Sequence, residues 1–564
     1  MKCASCGPAT HGRKDRSHVY LKQEPSSCSK CGARIEVRTV LKAGEVYRLR
    51  HCPACGPSEE KISGDAKAYL DDFLAQGAAR DGAPRTFKTT TAACAQCLEL
   101  VDAKVVLESG KVYLSKACPK CGPSKALVSE DAAWYVGAYG FSRAGSQPMK
   151  LSKTPAKGCP QDCGLCGDHE QHTCVPIVEV TDHCNLACPV CLVDNSQAHH
   201  LAVDDFRRIV DGLVASEGLL ESIAISGGEP TSHPQILELI DVATRPEVGR
   251  VVVLTNGVRL GRDRAFAEKL KEKGAYVILQ LDGFTPQVHQ ALRGRDLTVE
   301  KAAALKVLEE LKIPTQLLAT VARGVNEDQL GALVDLMLQK EHIVSLNLQP
   351  LTLSGRGGAT FGGDPLDRVT VPGIIKAIEA QTAGRIAMSD FCPLPCPSPH
   401  CVALTYLLKL DDGAFVPFPR FADLRKHGGL LRNSASLPAL PEIEQALRDV
   451  TYDLFARQDE IPMAKGILSA LRRAVDTMFT AGPLKFQEAL RGGERQAKSI
   501  FIHHYMDAHD FDLERLRKCC NHYPLPDGTL MPACGYNLFH RGAAQGAGTQ
   551  RAPWARAPRT QQGA

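Results

Sequence analysis

Three cysteines near the middle of the chain have a spacing suited to an iron–sulfur cluster. The segment Thr181-Asp-His-Cys184-Asn-Leu-Ala-Cys188-Pro-Val-Cys191 directly follows a strand-like run. Three thiolates can ligate three irons of a 4Fe–4S cubane and leave the fourth iron open to another ligand. A structural zinc site that lacks one ligand is the alternative. We expect Cys184, Cys188 and Cys191 to carry the chemistry at that open iron.

The first 140 residues contain a repeated pattern of cysteine pairs. Each repeat has two Cys-x2-Cys pairs separated by 20 residues, and the two repeats are offset by 66 residues. Pairs joined by a hairpin are typical of zinc-ribbon or rubredoxin-like sites, in which four thiolates surround one Zn or Fe ion. The expected ligands are Cys28, Cys31, Cys52 and Cys55 in the first ribbon, and Cys94, Cys97, Cys118 and Cys121 in the second. Cys3 and Cys6 form an additional pair without a visible partner pair.

Two other cysteine groups predict auxiliary clusters. The first, in a Gly- and Pro-bearing stretch, suits a fully ligated 4Fe–4S cluster, with another zinc site as the alternative. Its members are Cys159, Cys163, Cys166 and Cys174. The favoured ligands of the second, C-terminal cluster are Cys396, Cys401, Cys520 and Cys534. Cys392 or Cys519 can instead be a buried cysteine that binds no metal. Disulfides are not expected, because the N-terminus has no secretory signal.

Strand-like and helix-like runs alternate between about residues 176 and 390. The strand-like runs are 176–181, 220–226, 250–255, 275–281, 314–321 and 343–349. The helix-like runs are 204–217, 234–244, 262–273, 299–311 and 327–340. Such alternation predicts a parallel sheet in an α/β fold. Six strands fit a partial (β/α)6 TIM-like barrel, whose ligands bind at the C-terminal ends of the strands.

The Cys-x3-Cys-x2-Cys loop and these strand ends resemble the radical S-adenosylmethionine (SAM) superfamily. The resemblance implies one-electron cleavage of SAM and hydrogen abstraction from an unactivated carbon by a 5′-deoxyadenosyl radical. It also implies that SAM is contacted by Gly227, Gly228, Glu229 and Pro230 at its amino group, by Asn256 and Asp282 at its ribose or carboxylate, and by Asn326 and Gln349 at its adenosine. Val190 departs from the family, many of whose members have an aromatic residue there.

The whole chain resembles the archaeal tetraether lipid synthase group and its bacterial relatives. The matching parts are the N-terminal cysteine pairs, the segment 157–166, the radical loop, and the stretch from Phe501-Ile-His-His-Tyr-Met506 to Pro526-Asp527-Gly528. This resemblance implies carbon–carbon coupling of lipid tails, a long-chain lipid substrate, and an electron donor such as ferredoxin or flavodoxin. The second ribbon, together with Cys3 and Cys6, exceeds the metal ligands that this scheme requires.

These patterns divide the chain into five parts. They are a tandem ribbon domain (1–140), an auxiliary-cluster segment (141–175), the barrel (176–390), an α-rich auxiliary-cluster and substrate domain (391–541), and a disordered tail (542–564). A lipid substrate predicts a cytoplasmic protein in peripheral contact with the inner face of the membrane. Residues 464–479 form an amphipathic helix that can lie on a bilayer or pack on its own core.

Other functions fit parts of the pattern. A radical SAM methylase or carbon–carbon bond-forming enzyme acting on a pterin-like cofactor or a peptide would share every iron site. The shape of the cavity separates these readings, because a narrow apolar tunnel favours a lipid and a polar cleft favours the alternative. A nucleic-acid-binding protein in which the ribbons are the readers is a further alternative, because the ribbons carry Lys30, Arg34, Arg38, Arg48 and Arg50. Nucleic acid is nevertheless not expected as a partner, because the net charge is only +4 and aromatic residues make up only 5%. His503, His504 and His509 are either core histidines or catalytic groups.

Overall fold

The computed structural model of the protein describes residues 12–76, 83–154, 158–193, 199–355, 361–395, 397–431, 441–479, 491 and 493–541. Cys3, Cys6 and Cys396 lie outside the described residues, as does the segment from 542 onward.

The two ribbons are antiparallel four-stranded sheets that repeat the same order of elements. The first comprises β2 (Val19–Ser27), β3 (Arg34–Lys42), β4 (Glu45–Cys52) and β5 (Gly56–Ser63), followed by α1 (Ala66–Ala75). A short β1 (Lys14–Asp15) precedes it and pairs with β10 (Ser146–Gln147). The second comprises β6 (Arg85–Ala93), β7 (Leu100–Glu108), β8 (Lys111–Cys118) and β9 (Gly122–Ser129), followed by α2 (Ala132–Ala138). Each central hairpin turns at a left-handed pair, Ala43-Gly44 or Ser109-Gly110, as two-residue hairpins require. The sequence pattern predicted the hairpins but not the outer strands.

Six parallel strands follow, each beside the next in chain order. They are β11 (Val175–Thr181), β12 (Ile223–Gly227), β13 (Val251–Thr255), β14 (Tyr276–Gln280), β15 (Thr315–Val321) and β16 (Ile343–Pro350). The helices between them are α3 (Val203–Glu217), α4 (Ile236–Ala243), α5 (Val258–Arg262), α6 (Arg264–Glu272), α7 (Pro286–Arg293), α8 (Thr298–Leu311) and α9 (Leu330–Gln339). The expected α/β barrel is confirmed, because residues facing the helices are fully buried along every strand. Helices α5 and α7 were not anticipated.

The C-terminal region extends the barrel sheet on both sides. Strand β20 (Ala497–His503) runs parallel to β16, and β21 (Asn521–Pro524) runs parallel to β11. The remaining members of the sheet are β17 (Cys392–Pro393), β18 (Val402–Lys409), β19 (Phe415–Pro417) and β22 (Leu530–Pro532). The region after residue 391, expected as a separate α-rich domain, thus shares the sheet of the barrel. Strands that pair across such long stretches of the chain leave no local sequence pattern from which the pairing could be predicted.

Further helices follow β16 along the chain. They are α10 (Val371–Gln381), α11 (Pro441–Ala456), α12 (Ala464–Phe479), α13 (Leu513–Arg517) and α14 (Ala533–Gly535). The apolar face of α12 is buried, and Ile467, Leu471 and Val475 pack in one core with residues of β18 and α11. This face is therefore not available for contact with a bilayer. Among the described helices, none has the length and hydropathy needed to cross a membrane.

Candidate functional site

The cysteine loop (residues 182–191) leaves the C-terminal end of β11, as the sequence predicted. Cys184, Cys188 and Cys191 are all half-buried, and Cys184 and Cys188 pack against Leu186, Val258 and Leu297. The backbone N–H of Leu186 donates to the Cys184 Sγ at 3.4 Å. Burial raises the pKa of the Cys184 thiol to about 12, so a bound metal is needed to hold it as a thiolate.

The glycines after β12 allow two backbones to approach each other closely. Gly227 has a φ of 130°, and a Cβ at Gly227 or Gly228 would lie less than 3.0 Å from carbonyl oxygens of residues 181–183. The Gly228 N–H donates to the Thr181 carbonyl at 2.7 Å, and the Glu229 N–H donates to the His183 carbonyl at 2.8 Å. These glycines were expected to admit SAM; here their lack of a side chain first admits the cysteine loop itself.

Glu229 joins the loop after β12 to the loop after β13. Its buried carboxylate accepts hydrogen bonds from the Thr231 N–H (3.1 Å), the Thr255 hydroxyl (2.7 Å) and the Asn256 N–H (2.8 Å). Pro230 is buried beside it. The Asn256 side chain in turn donates to Asn185 Oδ1 at 2.6 Å and so reaches the cysteine loop. The strand ends therefore meet at one place, as the register of the motifs predicted.

Two residues expected to contact SAM form several hydrogen bonds within the protein. Asp282 is fully buried and accepts two hydrogen bonds from Arg293, at 2.6 and 2.7 Å, as well as one from the Thr320 N–H. Asn326 is also fully buried; its amide donates to the carbonyls of Asp282 and Thr320, and its oxygen accepts from the Ala322 N–H. Both residues join the loops behind the site, and their contact with SAM stays a prediction.

Two basic residues beneath the strand ends carried no sequence signal. Burial by itself would lower the pKa of Arg293, but the Asp282 carboxylate and the Cys188 thiolate raise it. Lys301 is buried, and its Nζ donates to the Asn256 and Gln280 carbonyls at 2.6 Å each and to the Gln280 side-chain oxygen. Burial lowers the pKa of Lys301 to about 7. A cation on a helix has no diagnostic spacing, so only the fold reveals these contacts.

Each ribbon brings its four cysteines together. Within the described part of the chain, these two sets are the groups whose ligand atoms all lie within 4.8 Å of one another. The Cys31 and Cys52 Sγ atoms are 3.5 Å apart, and those of Cys97 and Cys118 are 3.7 Å apart. A tetrahedral ion with metal–sulfur bonds of ~2.3 Å separates its sulfurs by about 3.8 Å. Backbone N–H groups lower the pKa of Cys28 to about 6, which favours a thiolate. Both sites fit a mononuclear metal.

The cysteines of the auxiliary-cluster segment separate into two places. Cys159, Cys163 and Cys166 line one cavity, here called the linker cavity, together with Arg517. Cys174 is not part of that lining: its N–H donates to the Cys520 carbonyl at 2.8 Å, its Sγ lies 3.4 Å from His172 Nε2, and it packs with Cys392 and Cys520. Of the expected four-cysteine set, Cys174 thus lies directly before β11 and outside the lining that the other three share.

A second cavity lies near the C-terminal end of β20. This C-terminal cavity is lined by Cys401, Cys519, Cys520 and Cys534, and also by His503, His504 and Arg515. Cys519, one of the two cysteines for which the sequence left open that no metal is bound, lines this cavity together with the other three. Cys392 does not line it, and its Sγ contacts the Leu404 carbonyl at 3.8 Å. His504 pairs with Asp510 at 2.9 Å, and burial lowers the pKa of His504 and of His509.

A cavity of about 250 Å³ runs inside the barrel. Its apolar lining includes Val252, Leu254, Ile278, Leu318 and Phe501. Polar side chains line it as well, namely Gln316, Asn347, Gln349, Ser499 and His503. Val402, His503, Tyr505, Cys520 and Asn521 line both this lumen cavity and the C-terminal cavity. The predicted adenosine contact Gln349 thus faces the lumen.

The family comparisons agree with this geometry. Residues 178–337, which contain the cysteine loop, the second half of β11 and strands β12–β15, match the family model described as the radical SAM superfamily. The barrel is a radical SAM domain. Such domains use a 4Fe–4S cluster and SAM, and the loop cysteines could hold that cluster. Residues 86–130 match the model described as the HMPTM N-terminal zinc ribbon domain, which supports a mononuclear metal in the second ribbon.

The similarity to one known protein extends beyond the radical SAM domain. A 7,8-dihydro-6-hydroxymethylpterin dimethyltransferase from Methanocaldococcus jannaschii is 28% identical over 483 residues, which is 80% of this chain and 94% of that protein. A GTP 3′,8-cyclase from Syntrophomonas wolfei is 32% identical over 30% of this chain and about half (52%) of its own length. These relatives do not include a tetraether lipid synthase, so that part of the prediction is not supported by them.

The similarity to solved structures is low. A radical SAM methyltransferase from Sphaerobacter thermophilus has a TM-score of 0.29 and 12% identity, over 57% of this chain and 80% of that chain. Streptococcus suis SuiB, bound to S-adenosylmethionine, has a TM-score of 0.28 and 19% identity, over 32% of this chain and 40% of that chain.

Proposed function

We propose that this radical SAM enzyme methylates an unactivated carbon of a small, nitrogen-rich heterocycle related to the pterins, with a second SAM molecule as the methyl donor. In that reaction R–H, two SAM molecules and two electrons from an external donor yield R–CH3, methionine, 5′-deoxyadenosine and S-adenosylhomocysteine. The SAM-binding cluster is held by Cys184, Cys188 and Cys191, and it would supply the electron that cleaves SAM and starts hydrogen abstraction. Gly228 and Glu229 hold the loop that carries these cysteines, and Arg293 lies behind it. Gln349 is the candidate contact to SAM or substrate on the lumen side.

The observation that carries the proposal is an unpaired amide oxygen in the lumen. Asn347 Oδ1 is buried and has no hydrogen-bond partner, although the Asn347 side chain lines the lumen cavity. A buried acceptor without a partner costs about 1–3 kcal/mol. An N–H of a bound heterocycle would satisfy it, whereas a hydrocarbon chain would not. The similarity to a pterin dimethyltransferase over 80% of this chain gives independent support.

The lumen cavity, with a volume of about 250 Å³, offers room for a small ring system.

Lipid coupling is the second candidate, and one observation favours it. The side chains of Val252, Leu254 and Ile278 give one wall of the lumen a continuous apolar surface. In that case the reaction joins R–H and R′–H into R–R′, and two SAM molecules and two electrons yield two methionines and two 5′-deoxyadenosines. A long-chain substrate and an external donor such as ferredoxin or flavodoxin belong to this candidate.

Auxiliary clusters complete the proposed machinery. Cys159, Cys163 and Cys166 are the proposed ligands in the linker cavity, and Cys401, Cys519 and Cys534 are those in the C-terminal cavity. The shared lining of the C-terminal and lumen cavities would bring that second cluster next to the substrate.

A labelling experiment separates the two candidates. Anaerobically reduced holoenzyme is incubated with methyl-deuterated SAM and a 7,8-dihydropterin, and in parallel with archaeal diether lipids. Deuterium in the pterin supports the proposal, and coupled lipid with two 5′-deoxyadenosines per bond supports the second candidate. Asn347→Leu should raise the KM for the pterin while leaving SAM cleavage without substrate unchanged. No product from the pterin with an intact cluster would contradict the proposal.

A further inference from the structure

Helix α13 lies between the two cavities that are lined by cysteines. Its residues Leu513 and Leu516 pack in one core with Cys163 of the linker cavity and Cys534 of the C-terminal cavity. Arg515 and Arg517 are two positions apart on this helix, and successive residues rotate by about 100°, so their side chains leave on nearly opposite sides. One arginine therefore points to each cavity.

Arg515 brings an incompletely paired charge to the C-terminal cavity. The residue is 3% exposed, and its Nη2 lies 3.6 Å from the Cys401 Sγ and donates to the His504 carbonyl at 3.0 Å. Its Nε and Nη1 are buried and have no hydrogen-bond partner. The carboxylate of Asp510, which raises the pKa of Arg515, is shared with His504 at 2.9 Å and Arg368 at 3.8 Å.

Arg517 takes the corresponding place at the linker cavity. It lines that cavity with Cys159, Cys163 and Cys166. Its Nη1 donates to the Gln23 side-chain oxygen, while its buried Nε has no hydrogen-bond partner. Burying a guanidinium costs several kcal/mol unless an anion and hydrogen-bond acceptors compensate it. The thiolates and sulfides of an iron–sulfur cluster are such acceptors, so the unpaired N–H groups fit the proposed clusters.

We propose that Arg515 and Arg517 are positioning residues that raise the reduction potentials of the C-terminal and the linker cluster, respectively. A reduced cluster carries one more negative charge than its oxidised form, so a nearby fixed cation stabilises the reduced form. Hydrogen bonds to the cluster sulfurs act in the same direction. A single helical turn would thereby set the potentials of both auxiliary centres. The inference rests on the proposed cluster sites.

The test is a redox titration followed by electron paramagnetic resonance. Full-length protein with Cys184, Cys188 and Cys191 all changed to alanine retains only the auxiliary centres, which removes the signal of the SAM-binding cluster. Iron and sulfide contents and the spectra of this protein are measured first. Absence of both auxiliary clusters at that step refutes the cluster sites themselves, before the arginines are tested.

Four variants in this background then test the arginines. Arg515→Gln should shift one midpoint potential to more negative values, and Arg517→Gln should shift the other. Arg515→Lys and Arg517→Lys keep the charge and should stay closer to the parent potentials. If a glutamine variant loses its cluster, the lysine variant at the same position is used instead. Retained iron and a midpoint potential close to that of the parent protein in the lysine variant then support the role of the positive charge. Unchanged potentials in both glutamine variants, or equal shifts in the lysine and glutamine variants, would overturn the proposal.

Discussion

Gly228 lies against the backbone of His183 so closely that a Cβ at Gly228 would be less than 3.0 Å from the His183 carbonyl oxygen. This contact fixes the start of the cysteine loop against the end of β12. The relationship explains why a glycine is needed there even before any ligand is bound, since the obstacle is the protein's own backbone.

Gly228→Ala should displace the cysteine loop and impair assembly of the SAM-binding cluster. The matched control is Gly212→Ala, because Gly212 lies inside α3 with no atom within 4 Å of the added carbon. An alanine in a helix is more favourable than a glycine by about 0.5–1 kcal/mol, so the control should be slightly stabilised. Iron content and SAM affinity measure the first effect, and urea unfolding measures the second. Wild-type iron and SAM binding in Gly228→Ala would contradict the close-approach argument.

Arg293→Gln should destabilise the domain strongly, because it leaves the fully buried Asp282 carboxylate without its ion pair. Breaking a buried pair by removing one partner costs about 3–5 kcal/mol. Arg295→Gln is the control, since Arg295 is exposed and its bond to Glu300 of 3.0 Å is a surface pair worth at most about 1 kcal/mol. Urea unfolding of both variants gives the comparison. Equal losses would show that Asp282 does not depend on Arg293.

Each ribbon should bind one metal ion independently of the other. Cys31→Ser and Cys97→Ser should each remove one equivalent of mononuclear metal, and the double variant should lose two, because a structural site needs all four thiolates. Cys392→Ala should lose none, since Cys392 lines neither thiol cavity. Elemental analysis gives the total metal, and the inorganic sulfide content gives the share that belongs to iron–sulfur clusters. The difference is the metal of the ribbons. Loss of both ions in one single variant would contradict independent sites.

Lys498 should make stability rise with pH on the alkaline side. Its Nζ donates to the Lys340 carbonyl beyond the end of α9, and burial lowers its pKa from 10.5 to about 8. The unfolded chain therefore holds this proton more strongly between pH 8 and 10.5, and the free energy of unfolding increases over that interval. Below pH 8 the cost of burying the charge is fully present.

The check is the pH dependence of urea unfolding in Lys498→Met. The variant should show a shallower rise between pH 8 and 10.5 than the wild-type protein, whereas Lys306→Met, at an exposed lysine of α8, should follow the wild type. A wild-type slope in Lys498→Met would mean that this lysine keeps its ordinary pKa in the folded state.

The sequence predicted the barrel well because its signal is local. Buried parallel strands are continuous apolar runs, and helix-like runs of 11 to 14 residues separate them in the sequence, so each unit is visible by itself. The same holds for the ribbons, whose ligands lie in short pairs. The predicted strand at 176–181, for example, differs from Val175–Thr181 by one residue.

The contacts that the sequence could not predict join distant segments. Strand β20 pairs with β16 across more than a hundred residues, and Cys174 meets Cys520 rather than its neighbours Cys163 and Cys166. Asn326 follows a strand end, as a ligand-binding residue would, yet its amide is used to join backbones. Only the three-dimensional arrangement distinguishes a residue that faces a ligand from one that supports the site from behind.

Release of 5′-deoxyadenosine from SAM tests the central claim most directly. Reconstituted, anaerobically reduced protein is compared with the variant in which Cys184, Cys188 and Cys191 are alanine, after both have been shown to hold their ribbon metals. We predict that the unmodified protein releases 5′-deoxyadenosine and methionine in equal amounts and that the variant releases neither. The account is contradicted if the variant cleaves SAM equally well, or if unmodified protein with an intact, reduced cluster does not cleave it.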